Sequence, residues 1–518
     1  MSRSDDGRTL AGDPVLSKRT VAILAGLTVV VRLPGLLTGN PFNSDETTLA
    51  TGGRALADGG RLYVDVIDRK PPLPFALYRI LDGFDVGHGL LVVRAVVAVL
   101  IFVTGVVVAR EAGRRFGPSA ALVAGVVVIA GTAALGVRDG QPANFEVISL
   151  LPIALAFCFG SRDRPIAAGI ALAVATLCKQ PAAVTAIPVA ICLWRSGRWR
   201  SLGLAAGSGL VATVALASPF GLGKVIEWSL LGTGGYLSLD PAGIGFAALR
   251  IGSLLAITAG FWGGAWLLAL APRTAAEPEI ADPAGEPGAD PAAAVVDGPA
   301  STSRDADLWW LLGVSALGVV AGFHFFPHYL IQLLPALGLL AGRGAVRRPT
   351  WVRPALAWGV AASLVGLATG LFHAFDATPR YEAGVAAVIR AHSCSGQRVL
   401  VWGNVPELYW RSGRLPAGGF THTEFITGYS GGRQHDVTTE ADVPDEQLYR
   451  DWLARIRRQR PAVFVDTAIA DLRGGKDFPL VGYPTLDRYV VANYHVVDTI
   501  ARVPIYVRNG ADPGADCS

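Results

Sequence analysis

Residues 43–73 read NSDETTLATGGRALADGGRLYVDVIDRKPPL, a polar, charge-dense stretch set between two long apolar runs. If those runs cross a bilayer, the stretch lies at its surface. Ser44, Asp45 and Glu46 precede a helical pattern carried by Leu49 and Leu56, and Arg69, Lys70, Pro71 and Pro72 open another. Acidic groups thus begin one helix and basic groups the next. A proline pair suits a first helical turn, where the missing N–H costs little, and the free N–H groups of such an end attract anions. With Lys70 beside it, that end can hold a phosphate, while Asp45 or Glu46 is placed to take a proton from a hydroxyl. The same residues also make an ordinary helix start, with a Ser44 cap and first-turn carboxylates complementing the dipole. Arg69 and Lys70 equally suit interfacial anchors.

The flanking chain sets the class. It is 51% hydrophobic and only 17% charged, with a mean hydropathy of +0.42, and its repeated apolar runs approach the length of a bilayer crossing. A multi-pass membrane protein is expected. The formal net charge of +4 gives no support to a nucleic-acid partner. Cys158, Cys178 and Cys192 fall inside apolar runs and read as small buried hydrophobes. Cys394 and Cys517, in the polar C-terminal part, can pair in an oxidising compartment. None has metal-type spacing.

Orientation follows the arginines. Arg3, Arg8, Lys18 and Arg19 precede a first span at 20–38, read as a retained helix and not a signal peptide, which puts residues 1–19 in the cytoplasm and 39–89 outside. Spans at 90–109, 118–137 and 145–160 follow, with Arg110, Arg114, Arg115, Arg162 and Arg164 in inner loops and the turn 138–144 outside. As one helix, the run 166–194 would be about 43 Å long, against a hydrocarbon core of about 30 Å. It is also interrupted by Lys179, Gln180 and Pro181, so two crossings are expected, and Arg195, Arg198 and Arg200 then fall inside. A span at 201–218, a loop at 219–245 and a span to 271 lead to residues 272–307, rich in Ala, Pro, Gly and acids and read as a disordered cytoplasmic linker. Residues 308–342 form two more spans meeting at HFFPHY (324–329), and 355–375 is the last. The sum is about eleven transmembrane helices, with the N-terminus inside and the C-terminus outside. Residues 376–518 read as a small α/β domain, with strands at 398–403 and 461–466 and helices at 382–391 and 445–457. No glycine-rich nucleotide fingerprint follows a strand.

The order of motifs adds a resemblance. Asp45 and Glu46, then Lys70-Pro71-Pro72-Leu73, Asn144-Phe145-Glu146 followed by Leu151-Pro152, Lys179-Gln180 at the broken helix, and His328-Tyr329 with Pro335 together resemble the GT-C glycosyltransferases. The similarity is to the protein O-mannosyltransferase and aminoarabinose transferase group (glycosyltransferase family 39-like), over most of residues 20–375. It implies an α-helical polytopic enzyme of the plasma membrane, working on the side away from the cytoplasm. The implied donor is a polyprenyl-phosphate sugar, the acceptor a hydroxyl of a glycan, lipid or protein, and the transfer inverting. Asp45 would be the base, with Glu46 as a second candidate carboxylate, and Lys70 would contact the donor phosphate. Arg69, Asn144, Glu146, Lys179, Gln180, His328 and Tyr329 join as candidate substrate-binding residues. One departure stands out: relatives often carry a carboxylate immediately before this lysine, whereas here Arg69 holds that place and Asp68 is one earlier. A divalent cation is the one candidate cofactor, and no metal ligands are assigned. Trp402-Gly403 and Glu407 to Trp410 resemble the C-terminal domains of bacterial members. The rival readings are a lipid-sugar transporter or flippase, which shares broken helices and midplane charges, and a non-catalytic envelope scaffold.

Overall fold

The computed structural model describes residues 16–82, 90–232, 241–272, 305–321, 325–376, 380–428 and 437–510. His324, Cys517 and almost all of the 272–307 segment lie outside the described residues.

Helices α1 (Lys18–Leu37), α2 (Ser44–Ala57), α3 (Leu73–Asp82), α4 (Leu91–Phe116), α5 (Pro118–Ala134), α6 (Val137–Gly140), α7 (Phe145–Gly160), α8 (Pro165–Cys178) and α9 (Ala186–Ala217) are followed by α10 (Leu222–Val225), α11 (Pro241–Ala269), α12 (Ala306–Val320), α13 (Leu334–Arg347) and α14 (Pro349–Phe375). Among the described residues six helical runs are long and apolar enough to cross a membrane, and four apolar helices are shorter. One of the six, Gln180–Phe220, bends at Arg198, whose backbone leaves the helical region (φ 48°, ψ −135°). The described apolar segments therefore number eleven. The expected interruption lies where the sequence put it. α8 stops at Cys178, Lys179 is extended, and Gln180–Thr185 continues as a 3-10 turn, because Pro181 has no N–H to give to the turn before it and its ring crowds the carbonyl four residues back.

Two details of the 43–73 stretch differ from expectation. Asn43, not Ser44, caps α2, its side chain accepting the Glu46 N–H. The proline pair precedes α3 instead of forming its first turn, since the helix begins at Leu73. α2 then lies tightly on α3 through a glycine pair. A Cβ on Gly53 would come within 2.6 Å of the Tyr78 Cβ and 2.9 Å of the Arg79 backbone nitrogen. Such glycines cost helix stability of about 1 kcal/mol each, which their close approach to the neighbouring helix explains.

The C-terminal domain packs α15 (Tyr381–Ala391), α16 (Glu407–Ser412), α17 (Glu424–Thr427), α18 (Glu446–Gln459) and α19 (Pro484–Asn493) around a sheet of β1 (Val399–Trp402), β2 (Val463–Asp466), β3 (Tyr494–Ile500) and β4 (Val503–Arg508). The strand order is β1-β2-β4-β3, with β1 and β2 parallel and β4 antiparallel to both neighbours. β1 and β2 are wholly buried, as their apolar runs predict. The domain sits on the 43–82 segment: Ile67 bridges Phe420, Arg398 pairs with Asp65 at 2.9 Å, and Trp228 meets Phe420 edge-on.

Candidate active site

The site is built on a rigid polar frame. Arg94, in the first turn of α4, is buried and grips both oxygens of Glu46 at 2.7 and 2.6 Å. It also donates to the carbonyls of Gly35, Thr38 and Asn40. Glu46 accepts from the backbone N–H groups of Phe42 and Ala143 as well. Glu46, offered by the sequence as a second catalytic carboxylate, is thereby fully enclosed and committed to four donors; it positions its neighbours and is closed to substrate. Arg32, in the C-terminal third of α1, donates to the carbonyls of Gly140 and Gln141 and so holds the 137–144 turn in place.

One helical position earlier than Glu46, Asp45 points away from this frame. Its carboxylate oxygen lies 3.6 Å from His328 Nε2, and its side chain keeps 25% exposure. His328 is oriented by Asp139, whose Oδ1 lies 2.7 Å from Nδ1, and by the stacked ring of Phe326. Glu146, on the first turn of α7, lies 3.9 Å from the same Nε2 and is fully closed off. It is salt-bridged to Lys179, whose ammonium sits 3.8 Å over the ring of Tyr329. Lys179 thus answers its own burial by pairing with a neighbouring helix, the expected cost of an ionisable group at membrane depth.

Lys70 completes the group. Its ammonium lies 5.0 Å over the Phe145 ring, and its backbone is fixed on both sides, the N–H donating to Asp68 and the carbonyl accepting from Tyr63. Burial opposes its charge, but the Tyr329 phenol and the carboxylates of Asp45, Glu146 and Asp68 outweigh it and hold its pKa well above the ordinary lysine value. Burial in turn pushes Asp68 up to about 6 against the pull of Lys70.

The remaining candidates divide. Asn144 is the cap of α7, accepting from the Val147 N–H. Gln180 bridges the carbonyls of Arg69 and Ser229 and ties the broken helix to the Lys70 segment. The Arg69 guanidinium lies over Phe425 of the C-terminal domain, 4.5 Å from the ring centre. Beside it, Glu424 also feels Asp68, Lys70 and Asp45, and burial pushes its carboxyl up to about 7 against the opposing pull of Arg69.

Arg94, Arg32, Asp139 and Glu424 were not singled out from the sequence. The two arginines carried a usable signal, a charge inside an apolar run. Asp139 and Glu424 carried none, because only the packed chain brings them here. The Glu424 shift has a measurable consequence. A carboxyl that holds its proton more tightly folded than unfolded adds stability below its unfolded pKa and loses it as pH rises through the folded one. The melting temperature is expected to fall between pH 5 and 8, with Asp68 acting in the same sense. Glu424→Gln should flatten that decline; a melting profile identical to wild type would remove Glu424 from the account.

Asp45, Glu146 and His328 present ligand atoms that all lie within 4.8 Å of one another. His328 Nε2 and Glu146 Oε2 are buried with no hydrogen-bond partner. Nitrogen and oxygen ligands bind a divalent ion such as zinc at about 2.0–2.2 Å, so two ligands of one ion stand at most about 4.4 Å apart. Both His328 separations, 3.6 and 3.9 Å, fall inside that limit. The three side chains are of ligand type and stand close enough together to hold a divalent cation, although the Glu146 oxygen nearest His328, Oε1, is the one that Lys179 holds.

Residues 69–221 match a family model described as dolichyl-phosphate-mannose-protein mannosyltransferase. The matched stretch holds Lys70, Glu146 and Lys179 and stops short of Asp45 and His328. Among solved structures, the chain aligns with ArnT from Cupriavidus metallidurans bound to undecaprenyl phosphate, at a TM-score of 0.57 and 16% identity over 95% of this chain and 98% of that one. The chain has the fold of ArnT. The apo form of ArnT aligns equally well, at a TM-score of 0.57 and 14% identity over 94% of this chain and 97% of that one. AglB from Archaeoglobus fulgidus, in complex with an inhibitory peptide and a dolichol-phosphate, aligns more loosely, at 0.48 and 10% identity over 88% of this chain and 69% of that one. No curated protein matches the sequence. Within this fold, the His328 cluster and Lys70 occupy the end of the helix bundle that the C-terminal domain covers.

Proposed function

We propose that this protein transfers a sugar from a polyprenyl-phosphate donor to an acceptor hydroxyl on the non-cytoplasmic side of the membrane, with inversion at the sugar carbon. The observation that carries this reading is the convergence of a partly open carboxylate, Asp45, and a pre-positioned cation, Lys70, on one polar cluster. Asp45 accepts the acceptor's proton as the acceptor oxygen bonds to the sugar carbon. The bond from that carbon to the phosphate oxygen breaks, and polyprenyl phosphate leaves with the bonding pair. Lys70, and Lys179 behind it, stabilise the charge that develops on the departing phosphate. His328, held by Asp139, keeps the Asp45 side chain turned toward the substrate. Asp45, Glu146 and His328 would hold a divalent cation, which when bound would add Lewis-acid charge at the same place.

The orientation belongs to the same proposal. Cys394 is disulfide-bonded, which supports a C-terminal domain in an oxidising compartment, and the arginine-rich loops at the opposite end suit the cytoplasm. Mannose and arabinose are the sugars proposed, and the acceptor is a glycan, lipid or protein hydroxyl. The test supplies purified full-length protein with labelled polyprenyl-phosphate mannose or arabinose and an envelope acceptor fraction. A new glycosidic product supports the transferase; movement of labelled lipid between leaflets without such a product establishes the flippase instead. Lys70→Ala is expected to raise the donor KM and lower kcat/KM by about tenfold or more, the worth of one charge-assisted contact. Unchanged donor kinetics would take Lys70 out of the phosphate site.

A further inference from the structure

A second polar cavity, of about 1030 Å3, lies between the 39–82 segment and the C-terminal domain. It contains none of Asp45, Lys70, Glu146, Lys179 or His328. Four arginines from separate parts of the chain line it: Arg54 of α2, Arg390 of α15, Arg411 of α16 and Arg414 just beyond it. Two carboxylates, Asp58 and Asp82, accompany them. Among the described residues Arg54 lies 3.8 Å from Asp82, and Glu382 and Glu407 act on Arg411 from outside the cavity lining. The other three are held by neutral oxygens: Arg390 by the Arg411 carbonyl, Arg411 by Asn40, and Arg414 by Ser393 and the Ser412 carbonyl. These bonds fix the side chains through neutral acceptors, and no carboxylate is bonded directly to Arg390, Arg411 or Arg414 among the described residues. Arg411 Nε is moreover enclosed without an acceptor. Burial and the nearby Arg390 guanidinium hold Arg414 below the ordinary arginine range.

The mouth of the cavity says where a ligand comes from. Leu37, the last residue of α1, and Leu91, the first of α4, are among its lining residues. Below Leu37, Val29 and Leu33 are exposed at i, i+4 spacing on the same face of α1. Below Leu91, Ala95 and Val99 are exposed in the same way on α4. α1 and α4 are packed neighbours. Two apolar stripes on adjacent bundle helices thus run through the bilayer region and end at a pocket of fixed guanidinium groups.

We propose that this cavity binds the phosphate headgroup of a membrane lipid, whose chains lie along the exposed stripes of α1 and α4. Planar guanidinium forks match phosphate oxygens in bidentate geometry, and the volume accommodates a headgroup larger than phosphate alone. The site is independent of the transferase reading, because its ligand touches none of the reacting groups. It is also not mechanically remote, since Arg411 holds Asn40, and the Asn40 carbonyl is one of those that Arg94 holds alongside Glu46.

The test measures binding to the full-length protein in neutral detergent, using dioctanoyl phosphatidylglycerol, dioctanoyl phosphatidylcholine and inorganic phosphate as separate probes. Phosphatidylglycerol is expected to bind about tenfold or more tightly than phosphatidylcholine, and Arg390→Gln with Arg414→Gln to remove that preference. Because those arginines also bond backbone carbonyls, two variants at exposed positions serve as a check on folding. Arg54→Gln should weaken phosphatidylglycerol binding and Asp58→Asn should tighten it. Equal affinity for the two lipids, or affinities unmoved in all variants, would overturn the proposal. Inorganic phosphate binding as tightly as phosphatidylglycerol would assign the cavity to a soluble anion and overturn the lipid assignment.

Discussion

Asp45→Asn is expected to reduce kcat by about 10²- to 10⁴-fold, the range a positioned general base supplies, while leaving the donor KM nearly unchanged. The amide fits the same space beside His328 but cannot take the acceptor's proton. The carboxylates packed closest to it are committed elsewhere: Glu146 is closed off and salt-bridged to Lys179, Asp139 is engaged by His328, and Glu46 is locked by Arg94. The loss should therefore persist across the accessible pH range. Steady-state transfer from a labelled polyprenyl-phosphate sugar separates kcat from KM. A wild-type kcat in the Asn variant would mean that another group carries the proton and that Asp45 only shapes the pocket.

Glu46→Gln is expected to act on folding instead. Both members of the Arg94–Glu46 pair are almost wholly buried, with side-chain exposures of 1% and 0%. Removing one charge of such a pair strands the other in low dielectric, at a cost of about 3–5 kcal/mol. The amide also loses one acceptor oxygen, leaving a donor of Arg94, Phe42 or Ala143 unsatisfied. Yield and melting temperature should fall well below those of Asp45→Asn, while the fraction that folds keeps more turnover. A variant as stable as wild type but inactive would reverse the roles of the two adjacent carboxylates.

That contrast shows what was legible in advance. Adjacent positions on a helix point about 100° apart, so the sequence could say that only one of Asp45 and Glu46 faces a substrate. Which one faces it depended on Arg94, about fifty residues away, arriving beneath α2. Lys179 was visible as an ionisable group interrupting an apolar run and Glu146 as one at the start of another, but only the packed chain brings the two together. Arg69 was read as a candidate substrate-binding residue, and its contact with Phe425 could not be foreseen, because it depends on the C-terminal domain lying over this segment. β3 escaped notice because most of its residues are exposed, with little alternation to betray a strand.

By itself the sequence determined the membrane class, the apolar segments, the break at Lys179 to Pro181, and the buried strands β1 and β2. These follow from local composition and periodicity, since a run of apolar residues or a proline acts on its own few neighbours. Only the tertiary structure decided which charges meet. It placed Asp139 on His328, enclosed Glu46, brought Glu424 over the site, and assembled four arginines from three helices and a loop into one cavity. Those contacts join residues tens to hundreds of positions apart, and the attraction between two charges depends on their separation in space, which no local pattern encodes.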